Sequence, residues 1–83
     1  MNRIYLFGRV VFKSKLKYII APKLKVYIEV TIETISRDKF NVIFYEDKCD
    51  WIKNVRLKSY IFVEGFGIMD KEKIQIYINK ICI

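Results

Sequence analysis

The stretch LKVYIEVTIET, residues 24–34, carries the clearest structural signal in this chain of 83 residues. Every second residue is aliphatic, and the residues between are charged, polar or aromatic. Because successive side chains of a strand point to opposite faces, this period of two predicts a strand with one buried and one exposed face. The predicted buried face consists of Val26, Ile28, Val30 and Ile32.

Segments of similar character lie on both sides of this stretch. They are rich in β-branched and aromatic residues, and short polar segments separate them, which is typical of strands joined by tight turns. Residues 13–17 are predicted as a loop or strand edge, and residues 21–23 and 69–72 as turns. Residues 36–39 have the length of a hairpin turn. The further predicted strands are residues 3–12, 40–45, 59–65 and 73–82, and a glycine in the first, Gly8, predicts a bulge or a tight bend there.

One helix is predicted between the third and fourth strands, over residues 48–56. Apolar residues recur there at helical spacing, which predicts a face that packs on the core and includes the only tryptophan, Trp51. Asp47 is a favourable N-cap residue, and Asp50 would lie in the first turn, near the positive end of the helix. The predicted apolar stripe is Cys49, Trp51, Ile52 and Val55.

Three strands, one helix and two strands follow one another along the chain. This order predicts an all-β fold, a five-stranded Greek-key barrel of the OB type, in which the helix closes one end. The length suits one domain, residues 1–83. A hydrophobic content of 53% is enough for a core, and no linker or repeat divides the chain.

The charge balance points to a polyanionic partner. Sixteen Lys and Arg residues against nine Asp and Glu residues give a net charge of +7, which favours nucleic acid, with an anionic membrane surface as the competing partner. No membrane-spanning run or signal peptide is visible, so we expect a cytoplasmic protein that does not bind a membrane.

Enzymatic chemistry has little support in the sequence. The chain has no histidine, no phosphate-binding glycine loop, and two isolated cysteines, Cys49 and Cys82, which predict neither a metal site nor a cofactor. Cys49 could be a reactive thiol near Lys48, but its place in the apolar stripe favours a buried, inert one. We therefore expect a protein that is not an enzyme.

Several segments together resemble the bacterial single-stranded-DNA-binding protein family. The start MNRIYLFGRV, residues 1–10, is similar to the family's N-terminal pattern, and VEG at 63–65 is similar to the end of its fourth strand. KLKY at 15–18, VTI at 30–32 and VIFY at 42–45 fall in the same order as their counterparts. The similarity covers nearly the whole chain.

This resemblance implies an OB-fold that binds single-stranded DNA, a homo-oligomer formed through the first strand, and partners among replication proteins. The chain departs from the family in its short loops, in lacking the base-stacking tryptophans (Lys39 lies near one such position), and in ending at Ile83 without an acidic tail. We expect a minimal member that serves DNA replication or recombination of a mobile element. An RNA-binding OB module and a protein-interaction subunit of a primosome or replication complex are the alternatives.

Proteins that bind a single strand without sequence preference combine cations that pair with phosphates and aromatic rings that stack on bases. The outward faces of the predicted strands and the first loop offer both. Tyr45 is the leading candidate because it matches the aromatic at the end of the family's third strand. The candidate nucleic-acid-binding residues are Arg3, Tyr5, Arg9, Lys13, Lys15, Lys17, Tyr18, Lys25, Tyr27, Arg37, Lys39, Tyr45, Lys73 and Tyr77.

Other roles compete for several of these residues. Tyr5 and Phe7 suit base stacking and a dimer interface equally. The lysines of residues 13–17 could contact phosphates or deter edge-to-edge strand pairing. Cross-strand aromatic packing is the favoured interpretation for Tyr60, Phe62 and Tyr77. Phe66 could line the binding groove or fill one end of the barrel, and filling is the favoured interpretation. Tyr18 could equally pack beneath the first loop.

Overall fold

A computed structural model of the chain describes residues 3–20, 22, 24–70 and 73–82. Strands dominate this part, and a 3-10 turn over Glu46–Lys48 leads into the one short helix found in it. The elements are β1 Arg3–Lys13, β2 Lys17–Ile19, β3 Lys25–Glu33, β4 Lys39–Tyr45, α1 Cys49–Lys53, β5 Tyr60–Asp70 and β6 Lys73–Ile81.

The five long strands close into a barrel. The strands follow the order β1-β5-β6-β4-β3, and β1 also pairs with β3, which closes the circle. All these pairs are antiparallel except β4 with β6, which is parallel. This is the OB-fold, with α1 between β4 and β5, and it confirms the predicted fold class. The short β2 adds an edge strand beside β3.

Alternation of side chains builds the core, as the sequence predicts. Ile28, Val30 and Ile32 of β3 are buried, and Val26 is half-buried at the edge of the core. The inward residues of the other strands meet them, and Cys49 and Ile52 of α1 cover one end. The remaining buried hydrophobic residues are Leu6, Val10, Val42, Phe44, Ile61, Val63, Ile76 and Ile78.

Gly8 lies where β1 passes close against β3. A Cβ atom there would collide with the carbonyl oxygen of Glu33 and would lie 2.7 Å from Cγ2 of Ile32, so only glycine fits. The irregularity in the β1–β3 pairing comes slightly later, between Val10 and Phe12. Glycine therefore permits a close approach of the two strands, and the neighbouring bulge increases the local bend.

The helix is shorter than the sequence predicts, and two details of that prediction are wrong. It spans Cys49–Lys53, and no side chain, Asp47 included, donates or accepts a capping hydrogen bond at its start. Trp51 is 42% exposed and lies outside the core. The chain leaves β4 through a positive φ of 56° at Glu46, and a helix this short turns only Cys49 and Ile52 inward.

Strand boundaries also differ at the two ends of the barrel. Residues 17–19 form β2, which begins at the end of the segment 13–17 that is predicted as a loop or strand edge. β5 continues to Asp70, so Met69 and Asp70 belong to a strand and not to the predicted turn. Ala21 and Lys23 of the predicted first turn, and Lys71 and Glu72 of the last, lie outside the described residues.

Candidate nucleic-acid interface

An open groove of about 590 Å³ crosses the outer face of the barrel over β3, β4, β6 and β5. We call it the aromatic groove. It lies outside the core, on the side of each strand opposite to the buried residues. Its walls combine four rings with aliphatic side chains, one lysine and one amide. The lining residues are Ile19, Lys25, Tyr27, Ile43, Tyr45, Phe66, Ile68, Gln75 and Tyr77.

The four rings form a row because strand pairing places them side by side. Tyr27 lies opposite Tyr45 in the β3–β4 ladder, and Phe66 lies opposite Tyr77 in the β5–β6 ladder. The ring centroids of Tyr45 and Tyr77 are 5.7 Å apart at 76°, and those of Phe66 and Tyr77 are 5.7 Å apart at 17°. All four side chains are half-buried while they line the groove. The rings of Tyr45, Tyr77 and Phe66 support one another, and strand pairing places Tyr27 beside Tyr45.

Cations accompany these rings. Lys25 is exposed and lines the groove. Nζ of Lys48 lies 4.5 Å from the ring centroid of Tyr45, a distance at which ammonium and ring attract each other. Lys17 of β2 pairs opposite Tyr27, and its Nζ lies 3.0 Å from Oε1 of Glu29. The groove therefore offers ring faces with positive charge beside them.

A second aromatic surface lies on β1 and β5, and we call it the β1–β5 face. Phe7 and Tyr60 stack with centroids 5.7 Å apart, and Tyr5 and Phe62 approach to 6.1 Å. Tyr5, Phe7 and Tyr60 are all exposed. None of these four residues lines the aromatic groove. The packing predicted for Tyr60 and Phe62 is present, but its partners come from β1.

The predicted arginines lie away from the row of rings or at its border. Arg3 pairs opposite Phe66, at the end of the row. Arg9 donates a hydrogen bond of 2.8 Å to Oε1 of Glu33, and this bond, with the positive charge of Arg9, holds the pKa of Glu33 below its ordinary value. Arg9, Glu33, Arg37 and Tyr60 line a separate cavity of about 350 Å³.

The remaining predicted residues are dispersed. Lys15 and Tyr18 are exposed in and after the first loop, and Tyr18 is 60% exposed, which rules out packing beneath the loop. Lys39 is exposed at the start of β4. Lys73 begins β6, but its side chain lies outside the described part of the structure.

Lys13 has a structural partner that the sequence does not reveal. Its Nζ donates hydrogen bonds to the carbonyl oxygens of Ile52 at 3.2 Å, Lys53 at 3.1 Å and Val55 at 2.6 Å. These carbonyls end the helix, where a cation interacts favourably with the helix dipole. The ammonium is therefore occupied, and the structure gives Lys13 a capping role in place of the expected phosphate contact.

Replacing Lys13 with methionine should lower the free energy of unfolding by about 1–2 kcal/mol, because several carbonyls lose a charged donor. Chemical denaturation would measure this change. Lys15→Met is the matched control, because Lys15 is exposed, and it should leave stability unchanged. If Lys13→Met unfolds with the same free energy as the wild type, or loses no more stability than Lys15→Met, the capping role is contradicted.

Sequence reasoning left six residues of this site out of the candidates: Phe66, Lys48, Gln75 and the aliphatic Ile19, Ile43 and Ile68. Phe66 lines the groove and does not fill a barrel end. Alternation in residues 59–67 places Phe66 on the outward side of its strand with Tyr60 and Phe62, and this pattern could have predicted its position. Lys48 meets Tyr45 only because α1 returns beside β4, which no local pattern shows. Gln75 lines the groove beside Tyr77, and its alternation with Ile74 and Ile76 was a usable sign.

Cys49 fits the inert thiol expected from the sequence. It is 2% exposed, and its Sγ donates a hydrogen bond of 3.3 Å to the carbonyl oxygen of Phe44. Burial raises the pKa of this thiol above its ordinary value, which disfavours the thiolate.

In the described part of the chain, no group of three or more acidic or cysteine side chains is placed to hold a metal ion. Within residues 3–20, 22, 24–70 and 73–82, no helix has the length and apolar character needed to cross a bilayer.

Solved structures of other proteins share this architecture. The protein PriB of Ralstonia solanacearum superposes with a TM-score of 0.70 at 12% identity, covering 98% of this chain and 95% of that one. A second structure of that protein superposes with a TM-score of 0.68 at 14% identity, covering 98% of this chain and 96% of that one. The SSB domain of a Synechococcus protein gives 0.71 at 16% identity, covering 98% and 93%.

These similarities concern the fold. The resemblance to single-stranded-DNA-binding proteins seen in the sequence is matched in three dimensions by an SSB domain over nearly the full length of both chains. No protein-family model and no curated protein sequence matches the chain. The OB-fold is therefore shown, and the activity has to be argued from the groove.

Proposed function

We propose that this chain binds single-stranded DNA in the aromatic groove, largely independently of sequence and without catalysing a reaction. Bases stack on the rings of Tyr27, Tyr45, Tyr77 and Phe66, and lysines beside the groove pair with the phosphates. The resemblance to the single-stranded-DNA-binding family and the shared fold support the choice of ligand. The observation that carries the proposal is the continuous row of rings.

Stacking explains why an unpaired strand is the preferred ligand. A base stacked on an aromatic side chain contributes roughly 1–3 kcal/mol, and every base has a face to offer. In a duplex those faces are already covered by neighbouring base pairs. Tyr45, Tyr77 and Phe66 lie in successive contact across β4, β6 and β5, so adjacent bases can be held along one path.

Positive charge supplies the part of the affinity that depends on salt. The net charge of +7 attracts the phosphate backbone, and Lys25 and Lys48 lie beside rings of the groove. Each phosphate neutralised on a single strand should contribute about −0.7 to the slope of log affinity against log salt. Binding should therefore weaken steeply as salt is added.

The experiment is a salt titration of binding to oligo-dT and to a duplex of the same length. The proposal predicts tight binding of oligo-dT, much weaker binding of duplex, and a negative salt slope for both. Equal affinity for the two ligands at every salt concentration would contradict it, since stacking in the groove requires uncovered bases. A matched RNA strand in the same assay separates the alternative of an RNA-binding module.

Self-association through β1 is a second proposal, and the β1–β5 face supports it. Tyr5, Phe7 and Tyr60 are exposed on one surface, and exposed apolar patches are typical of interfaces. A second copy of the chain is the proposed occupant.

Participation in replication or recombination of a mobile element, and contacts with replication proteins, remain predictions from the sequence.

Phe7→Asp tests this second proposal. Phe7 touches both Tyr60 and Phe62, so a charge there should disrupt an apolar interface. The wild-type protein should have the molar mass of an oligomer in light scattering, and the variant that of a monomer. Ile35→Asp, at an exposed residue of the β3–β4 hairpin, is the control. A wild-type monomer would contradict self-association and leave the groove proposal intact.

A further inference from the structure

The β5–β6 hairpin places two cross-strand pairs side by side in the aromatic groove. Phe66 pairs with Tyr77, and Ile68 pairs with Gln75. All four residues line the groove. Alternate residues of a strand are about 7 Å apart, so a base stacked at the rings of the first pair has its edge beside the aliphatic and amide groups of the second.

Hydrogen bonding fixes which end of the Gln75 amide serves the ligand. The hydroxyl of Tyr77 donates to Oε1 of Gln75 at 2.8 Å. This bond uses one of the two acceptor sites of the oxygen and sets the amide so that Nε2, with its two N–H donors, is left for the ligand. Among the described residues, the structure records no acceptor for Nε2. Gln75 is therefore arranged to donate to an acceptor atom of a base.

Aliphatic side chains stand beside this donor. Ile68 is 45% exposed although it is a large hydrophobic residue. Ile43 lies opposite Tyr77 in the parallel β4–β6 pair, and it lines the groove together with Ile68 and Ile19. These groups cannot bind phosphate or ribose hydroxyls through hydrogen bonds. They suit a small apolar substituent on a base.

Thymine presents this combination on one edge. Its O4 accepts hydrogen bonds, and its C5 methyl group lies next to that oxygen. Uracil keeps O4 and lacks the methyl group, and cytosine carries an amino donor in place of O4. A base stacked at Tyr77 with this edge toward Ile68 and Gln75 would satisfy both side chains only as thymine.

We propose that Gln75 and Ile68 make the groove prefer thymine, and that the thymine methyl group thereby distinguishes DNA from RNA. This inference rests on the proposed binding of single strands in the same groove. The preference is modest, since stacking and phosphate contacts remain common to all bases. Loss of one buried methyl group corresponds to about a fourfold loss of affinity.

Four homopolymers of equal length separate the effect of the methyl group from that of the sugar. They carry thymine or uracil on deoxyribose, and 5-methyluracil or uracil on ribose. The methylated base should bind about fourfold more tightly on each sugar. Equal binding of oligo-dT and oligo-dU, with both bound well, would overturn the thymine preference and leave strand binding intact. Failure to bind any of the four homopolymers would overturn both the thymine preference and the proposed binding of single strands.

Two variants assign the preference to its residues. Ile68→Ser should bring the ratio of oligo-dT to oligo-dU affinity close to one. Ile74→Ser is the matched control, because Ile74 is 62% exposed on the same hairpin but does not line the groove; it should keep the wild-type ratio. Gln75→Met should lower the ratio of oligo-dT to oligo-dC affinity. It should leave the ratio of oligo-dT to oligo-dU affinity unchanged. Unchanged ratios in Ile68→Ser and Gln75→Met would overturn the assignment.

Discussion

Replacing Tyr45 and Tyr77 together with alanine should weaken the binding of oligo-dT by roughly 2–6 kcal/mol, because each stacked base contributes about 1–3 kcal/mol. Tyr77 contacts both Tyr45 and Phe66, so its loss also removes support from the rings that remain. Tyr45→Ala alone should remove about 1–3 kcal/mol. Fluorescence anisotropy with a labelled oligonucleotide would measure both changes.

A matched double variant tests whether position matters as well as residue type. Tyr5 and Tyr60 are also outward tyrosines, but they belong to the β1–β5 face. Replacing both with alanine should leave the affinity for oligo-dT nearly unchanged. If the groove variant binds as the wild type does, or if both double variants lose affinity equally, the strand does not lie in the groove.

Phe44→Ala should lower the free energy of unfolding by about 3–5 kcal/mol, the usual cost of emptying a phenylalanine site in a core. Phe44 is 0% exposed and is among the largest fully buried side chains of the described chain. A small domain has little stability to spare, so the variant should be largely unfolded or close to it. Urea denaturation followed by circular dichroism would measure the loss.

The next residue provides the contrast. Tyr45 points outward from the same strand, so Tyr45→Ala should change stability far less than Phe44→Ala while it weakens binding. Phe44→Leu should restore most of the stability, because it keeps much of the buried volume. Similar stability losses at both positions would contradict the division between inward and outward faces.

Alternation predicted the strands, and their order around one helix predicted the barrel. In residues 24–34 the buried face is specified by a period of two, and burial of Val30 and Ile32 follows it. The helix could not be placed as accurately, because the stripe 49–55 suits several helix lengths. Its end depends on Lys13, which reaches the last carbonyls from a distant strand. Local patterns do not contain such contacts.

Prediction of the site was limited by the closure of the barrel. Alternation along the strands shows that Tyr5 and Tyr45 both point outward. In a closed barrel, however, outward directions diverge around the axis, so two outward residues can lie on different sides of the molecule. The pairing of β4 with β6 brings Tyr77 beside Tyr45, and the pairing of β1 with β5 turns Tyr5 toward Phe62. Tertiary pairing, which residue types alone do not reveal, separates the two surfaces.

A chemical-shift titration of the isotopically labelled protein with oligo-dT tests the central claim most directly. The largest amide shift changes should fall on Tyr27, Tyr45, Phe66 and Tyr77, which line the aromatic groove. The amides of the β1–β5 face should move far less. Changes centred on Tyr5, Phe7 and Tyr60, or no changes at saturating oligonucleotide, would contradict the account.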